Sequence, residues 1–279
     1  MRMTPARQRA ALTHGCLCRE TVTRGADSAP ILARLQRMIQ PTPTAAAPRI
    51  SCIICALNEG PRIAAVLEVA TAHPLVAEVI VVDDGSTDDT AQVVSRFPAA
   101  RLISHERNQG KSKAVATGVG AARHDLLMLL DADLKGLRAD DLVALARPVL
   151  DGRAAVTLSL RRNSLAIFRW VGIDFVSGER VVEKSLLADV LQEIHALPRF
   201  GIEVFMNKRI IAARLPIAIA NWHAVSQSRK TEKLGWWRGV RAEWRMVLDL
   251  MGAVHPLALV MQSLHLSLLR ARAVPQPAP

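Results

Sequence analysis

Two carboxylates one residue apart, Asp131 and Asp133, end the apolar run in LLMLLDADLKGL, residues 126–137. A continuous apolar run of this length reads as a buried parallel strand. In an open α/β sheet the chemistry sits just beyond the carboxyl ends of such strands. Two hard oxygen ligands there suit a divalent cation, and Mg²⁺ commonly takes one or two carboxylates together with substrate phosphates. Left alone after an apolar strand, the same acids would be costly to bury.

Three further clusters end strands upstream. Asn58 and Glu59 follow ISCIICAL, Asp83 and Asp84 close VIVVDD, and Asn108, Gly110 and Lys111 lie in NQGKSKA. Asp83 or Asp84 could accept hydrogen bonds from a nucleobase or ribose, although Asp and Ser in such a turn are also ordinary capping residues. Gly110 and Lys111 mark a loop-to-helix junction whose free N–H groups favour anions. The GxxxxGK[ST] signature of a P-loop is absent.

These clusters need a scaffold that brings them to one edge. From Arg49 the sequence alternates strand and helix: Ile50–Ala56, Pro61–Ala72, Glu78–Val82, Asp88–Arg96, Arg101–Ser104, Lys111–Ala122, Asp125–Leu130, Arg138–Leu150. This rhythm predicts an α/β fold with a mostly parallel, doubly wound sheet and helices on both faces. Beyond a strand at Ala154–Leu160 the pattern predicts helices at Val181–His195 and Gly201–Ala213, a strand at Ile217–Ala220 and an amphipathic helix at Trp236–Leu250. Glu203 falls in a first helical turn, where a carboxylate is favoured by the dipole; it could also serve as a general base. His223 follows Trp222 at a strand end, and Arg229, Lys230 and Lys233 form a basic run suited to phosphate or to solvent.

Net charge is +11, and it is uneven. Residues 1–47 carry seven arginines against two acids, residues 205–279 eleven basic side chains against three acidic ones, and the middle is near neutrality. Basic flanks point to an anionic partner surface. With no nucleic-acid motif and no aromatic stacking platform, a membrane is favoured over nucleic acid. Cys52 and Cys55 form a CxxC inside an apolar strand, where alternation turns them to opposite faces. They read as small buried hydrophobes, and nothing suggests a disulfide framework, which favours a cytoplasmic setting. The N-terminus lacks the apolar core of a signal peptide. The segment 246–269 is apolar but interrupted, better suited to amphipathic helices on the inner membrane face or on the domain than to a span. PTPTAAAP, residues 41–48, reads as a linker. The expected organisation is a loosely ordered basic extension over 1–47, with a short helical pattern at Ile31–Ile39, one α/β domain over 48–235, and an amphipathic basic segment over 236–279.

ALNEG, VVDDGSTDD, NQGKSKA and LLDAD, in this order, resemble a family 2 glycosyltransferase of the GT-A fold across about residues 49–235. The resemblance implies that Asn58, Glu59 and Asp84 line a nucleoside pocket; Lys111 or Lys113, at the helix start, could touch a phosphate or be a solvated cation. It implies that Asp131 and Asp133 hold ribose and a Mg²⁺ or Mn²⁺ ion bridging the diphosphate, with His223 as a third ligand. FVSGERV, RFGIEVFMN and HAVSQSRKTEKLG resemble the polyprenyl-phosphate sugar transferases, which implies substrate contacts from Arg180, Arg229 and Lys230 and places Glu203 on the acceptor side as catalytic base. Lys135 stands where that group often carries a metal-binding Gln. The expected activity is sugar transfer, with inversion, from a UDP- or GDP-linked donor to a polyprenyl phosphate, a small organic acid or a glycan. A nucleotidyltransferase and a catalytically inactive nucleotide-sugar binder are the alternatives; ALNEGPR lacks the glycine-rich, basic first turn of the former.

Overall fold

The computed structural model describes residues 49–164, 166–197, 201–227 and 256–270. The expected elements at Ile31–Ile39 and Trp236–Leu250, together with Arg229, Lys230 and Lys233, lie outside the described residues.

The central apolar runs form strands because they are buried on both faces. The elements are β1 (Ile50–Ala56), α1 (Gly60–Ala72), β2 (Val76–Asp83), α2 (Thr90–Val94), β3 (Ala100–Ser104), α3 (Lys111–Ala121), β4 (Leu126–Asp131), β5 (Leu134–Lys135) and α4 (Ala139–Leu150). They continue as β6 (Val156–Arg161), α5 (Ala166–Val171), β7 (Arg180–Glu183), α6 (Ser185–Ala188), α7 (Leu191–Ala196), α8 (Ile202–Ala212), β8 (Ile217–Trp222), β9 (Ser226–Gln227) and α9 (Pro256–Leu268). The main sheet runs β3-β2-β1-β4-β7-β6-β8. β1 pairs in parallel with both β2 and β4, and β6 with β8, while β7 is antiparallel to both of its neighbours. A second, two-stranded sheet pairs β5 with β9.

Period-2 alternation along β1 divides the core. Ile50, Cys52 and Ile54 pack on one face with Ile63 and Leu67 of α1 and Leu142 and Leu145 of α4. Ile53 faces the other way, toward Val115 and Val119 of α3 and Met206 and Ile210 of α8. Cys55 joins that second face, so the two cysteines are separated by the sheet, and burial pushes the Cys55 thiol up to about 12. Both act as apolar side chains rather than as a redox or zinc pair.

The expected helix over Val181–His195 is corrected. Val181 and Val182 lie in β7, wedged between β4 and β6, and only two short helices, α6 and α7, follow. Val181–Arg180 pair against Met128–Leu129 on one side and Thr157–Leu158 on the other. Two flanking strand partners outweigh the helical spacing of this stretch, as tertiary context commonly does. Among the described residues no helix is long and apolar enough to cross a membrane. α9 instead packs on α8 and buries Leu266.

Candidate active site

The parallel register brings three of the four sequence clusters to one edge: Ala56 lies opposite Asp83, and Cys55 opposite Asp131. The fourth, at the start of α3, is tied to them by Asp84. This carboxylate is only 3% exposed and accepts backbone N–H bonds from Gln109 at 2.9 Å and Gly110 at 2.7 Å. It also contacts His105 Nδ1 at 2.7 Å, whose Nε2 meets Thr117 Oγ1 at 3.0 Å. Asp84 therefore staples β2 to the Lys111 loop. Gly85 permits the crossing: its φ is +75°, and a Cβ there would lie 2.5 Å from the Arg107 carbonyl carbon. Gly110 adopts φ +97° as α3 begins.

Asn58 is left-handed, at φ 55°. Its side-chain oxygen accepts the Thr87 backbone N–H at 2.8 Å, and its own N–H donates to Ser86 Oγ at 2.9 Å. Glu59 is buried, pairs with Arg62, and donates its backbone N–H to Thr90 Oγ1. Asn58 and Glu59 are thus tied to the Ser86–Thr90 turn that follows Asp84.

Lys111 is the centre of the site. Its ammonium lies 2.7 Å from Asp131 Oδ1 and 2.9 Å from Glu203 Oε1, with 27% of its side chain exposed. Burial alone would push this lysine down, but the two carboxylates outweigh it and hold its pKa well above the ordinary value. The helix start of α8 supplies Glu203, so β4, α3 and α8 converge on one cation. Gly178 closes the cluster from the β7 side: a Cβ there would lie 2.6 Å from Lys111 Nζ and 2.7 Å from Asp131 Oδ1. These groups line a pocket whose other walls include Cys55, Val115, Leu129 and Met206.

Asp131 has a second set of partners that sequence reasoning missed. Gln227 of β9 donates to Asp131 Oδ2 at 2.9 Å and accepts from Arg161 Nη1 at 2.9 Å. Arg161 ends β6, lies 2.7 Å from Glu179 Oε1 and 3.9 Å from Asp131 Oδ2, and is raised above the ordinary arginine value: burial works against its charge, and Glu179, Asp131 and Asp174 overcome it. Ser159 and Ser177 hydroxyls complete Glu179. An arginine closing an apolar strand was the available signal for Arg161; Glu179 and Gln227 lay inside the FVSGERV and HAVSQSRKTEKLG segments, but nothing there singled them out as partners of Arg161.

Asp133 is 4% exposed, between β4 and β5. His223 is exposed, in the turn from β8 to β9, and β9 pairs with β5 directly after Asp133. Among the described residues no three His, Cys, Asp or Glu side chains converge as a metal cluster, so the expected set Asp131, Asp133 and His223 is not assembled here. Arg180 is fully buried, with Nη1 on Asn207 at 3.2 Å and Nη2 on the Ser177 carbonyl. Burial lowers its pKa below the ordinary arginine value, although Glu203 and Glu179 act the other way. It braces the Ser177–Gly178 turn rather than opening onto the pocket.

A doubly wound sheet with a carboxylate pair at the end of its central strand and an acid at the start of a later helix defines the class of protein to which the chain belongs. Residues 51–198 match the glycosyl transferase family 2 model, and the chain is a member of that family. Among curated relatives it is similar to glucosyl-3-phosphoglycerate synthase of Mycobacterium tuberculosis, 30% identical over 183 residues, which cover 61% of this chain and 56% of that protein. It is also similar to a dolichyl-phosphate beta-glucosyltransferase of Trichomonas vaginalis, 34% identical over 94 residues, 29% of this chain and 28% of that protein. The chain thus spans between about a quarter and just over half of these relatives' lengths. A crystal structure of the mycobacterial synthase with Mn²⁺, uridine diphosphate and glucosyl-3-phosphoglycerate superposes with a TM-score of 0.56 at 25% identity, covering 73% of this chain and 78% of that one. The fold is therefore the GT-A type α/β fold.

Proposed function

We propose that the chain is a metal-dependent glycosyltransferase that moves a sugar from a nucleoside-diphosphate donor to a phosphate-bearing acceptor. The observation that carries this reading is the joining of Asp131 and Glu203 through Lys111 at the edge where Asn58, Glu59 and Asp84 also lie. A donor laid along this edge meets the Asn58–Asp84 rim with its nucleoside and the Asp131 end with its diphosphate. A uridine diphosphate sugar is the first candidate, because the mycobacterial synthase is crystallised with uridine diphosphate.

Asp131 and Asp133 fit a hard divalent cation in ligand type, and a positive group, the Lys111 ammonium, already sits on Asp131. Bound there, Mg²⁺ or Mn²⁺ would neutralise the departing diphosphate. Gln227 and Arg161 fix the second oxygen of Asp131. Lys111 is a permanent cation beside the phosphates, and Gly178 leaves room for it. Glu203 is the base for a hydroxyl acceptor: it takes the hydroxyl proton as that oxygen bonds the anomeric carbon and the bond to diphosphate breaks, with inversion. An acceptor phosphate, already ionised, would leave Glu203 to hold Lys111. His223, in the turn before the strand that pairs beside Asp133, is a candidate third ligand, Arg229 and Lys230 are candidates for substrate contact, and Arg180 supports the site from behind through the Ser177–Gly178 turn. Residues 48–235 make up the transferase unit in this reading, with 1–47 and 236–279 as basic flanks. Phosphoglycerate and polyprenyl phosphate are the acceptor classes suggested by the relatives' names.

The test is a thermal-shift screen of uridine and guanosine diphosphate sugars with and without Mn²⁺, followed by diphosphate-release assays with each acceptor. A ligand at 100 times its dissociation constant stabilises by about 2.7 kcal/mol. One donor should raise the midpoint in a metal-dependent way. No shift and no release with any donor would overturn the proposal.

A further inference from the structure

Away from the site, two neighbouring segments carry apolar side chains that the core does not use. On α5, Phe168 packs against Phe175 while Trp170, two residues on, is 84% exposed. On α9, Gln262 and Leu266 face the domain, whereas Met261, Leu264 and Leu268 are 50%, 55% and 83% exposed. Spacings of three and four residues put those three on one side of the helix. The segments adjoin, since a Cβ on Gly172, at the end of α5, would lie 3.0 Å from Arg270 Nη1, just past α9.

The charge carried by these two segments is of one sign. Arg162, Arg169 and Arg270 are exposed, and neither 162–173 nor 256–270 contains an acidic residue. We infer that Trp170, Met261, Leu264 and Leu268, ringed by Arg162, Arg169 and Arg270, form a docking face for an anionic lipid surface. Tryptophan favours the headgroup level, an amphipathic helix lies with its apolar side at the acyl boundary, and arginines attract anionic lipids across a Debye length. A protein partner with a buried interface would require these arginines to be matched one by one; a sheet of anionic headgroups does not.

The face has a defined relation to the site. α5 departs from the end of β6, where Arg161 supports Gln227 and Asp131, and Ser164 Oγ, at its base, donates to Asp174 at 2.7 Å. Docking through α5 would hold the Asp131 edge near the lipid headgroups. The inference goes beyond the transferase reading and does not depend on it, because vesicle binding is measured without turnover.

The experiment is co-sedimentation of the full chain with phosphatidylcholine vesicles and with vesicles containing phosphatidylglycerol, at low and high salt. Binding should require the anionic lipid and weaken with salt. The triple variant Arg162→Gln, Arg169→Gln, Arg270→Gln should lower partitioning by roughly a hundredfold, at about fivefold per arginine near the surface. Trp170→Ser with Leu268→Ser should lower it at least tenfold on the same vesicles, while circular dichroism, the unfolding midpoint and donor-induced thermal shift stay at wild-type values. Equal binding by wild type and both variants would overturn the inference, since the attraction would then come from other basic segments. No binding to anionic vesicles would overturn it too, as would a loss of dimer on size exclusion in the variants without any vesicle effect, which would assign the face to a second copy of the chain.

Discussion

Replacing Lys111 by Met keeps most of the stem's volume and removes the ammonium that Asp131 and Glu203 share. The distances of 2.7 and 2.9 Å mean that both carboxylates lose a direct ion-paired hydrogen bond at once. Breaking a buried pair costs roughly 3–5 kcal/mol; with Lys111 27% exposed and the acids 13% and 11% exposed, about 2–3 kcal/mol is expected. Asp131 retains Gln227, so much of the penalty falls on the repulsion between two acids left without their shared cation. Glu203→Gln removes that repulsion. In its background, Lys111→Met should therefore be milder by about 1–2 kcal/mol, the range expected for groups in one network. Urea unfolding of the four proteins in the cycle, followed by circular dichroism with the slopes compared, measures this coupling. Additivity to within about 0.5 kcal/mol would refute the shared-cation geometry.

Other perturbations test the supports of the site. Gly178→Ala places a methyl 2.6 Å from Lys111 Nζ and 2.7 Å from Asp131 Oδ1; it should cost about 1–3 kcal/mol and weaken donor affinity in the same protein, read by calorimetry. Asp84→Ala leaves the Gln109 and Gly110 N–H groups without their acceptor and should destabilise by about 2–4 kcal/mol in the same unfolding assay. Glu78 tests the distant edge of the sheet. Burial pushes its carboxyl up, but the Arg123 backbone N–H, the Ser51 hydroxyl and the Arg123 guanidinium outweigh that and hold it below the usual 4.5. A lowered folded pKa gives stability that is complete above the unfolded value and lost as pH falls through the folded one. Glu78→Gln should then cost about 2 kcal/mol near neutrality and progressively less below pH 4.5, seen in unfolding midpoints across pH.

The first four strand–helix units were readable because β1, β2 and β4 carry largely apolar runs that close on polar residues, spaced by helical patterns. β4 closes one residue later than expected and β2 opens two earlier, at the frayed ends where pattern is weakest. β7 was not readable. Its four residues, RVVE, run on into apolar residues at helical spacing, and only pairing with β4 and β6 makes them a strand. β5 and β9 are two residues each, too short for any periodicity. The same split holds at the site. Asp131, Asp133 and Glu203 announce themselves at element ends, whereas the Arg161–Glu179–Gln227 chain joins residues 18 and 66 positions apart that no local motif links. The carboxylate pair was thus legible, and the polar frame holding Asp131 in place was not. Nor could spacing show that Lys111, read as a phosphate contact, bridges Asp131 to Glu203.

The most direct test of the account is donor turnover by an Asp133→Asn variant beside the wild type, with Mn²⁺ titrated against the donor identified by the thermal screen. The account predicts that wild type releases diphosphate only with metal, and that the variant loses at least about a hundredfold in rate, consistent with several kcal/mol of transition-state stabilisation, at an unchanged unfolding midpoint. Undiminished, metal-dependent release by Asp133→Asn would contradict the assignment of this edge as the diphosphate site.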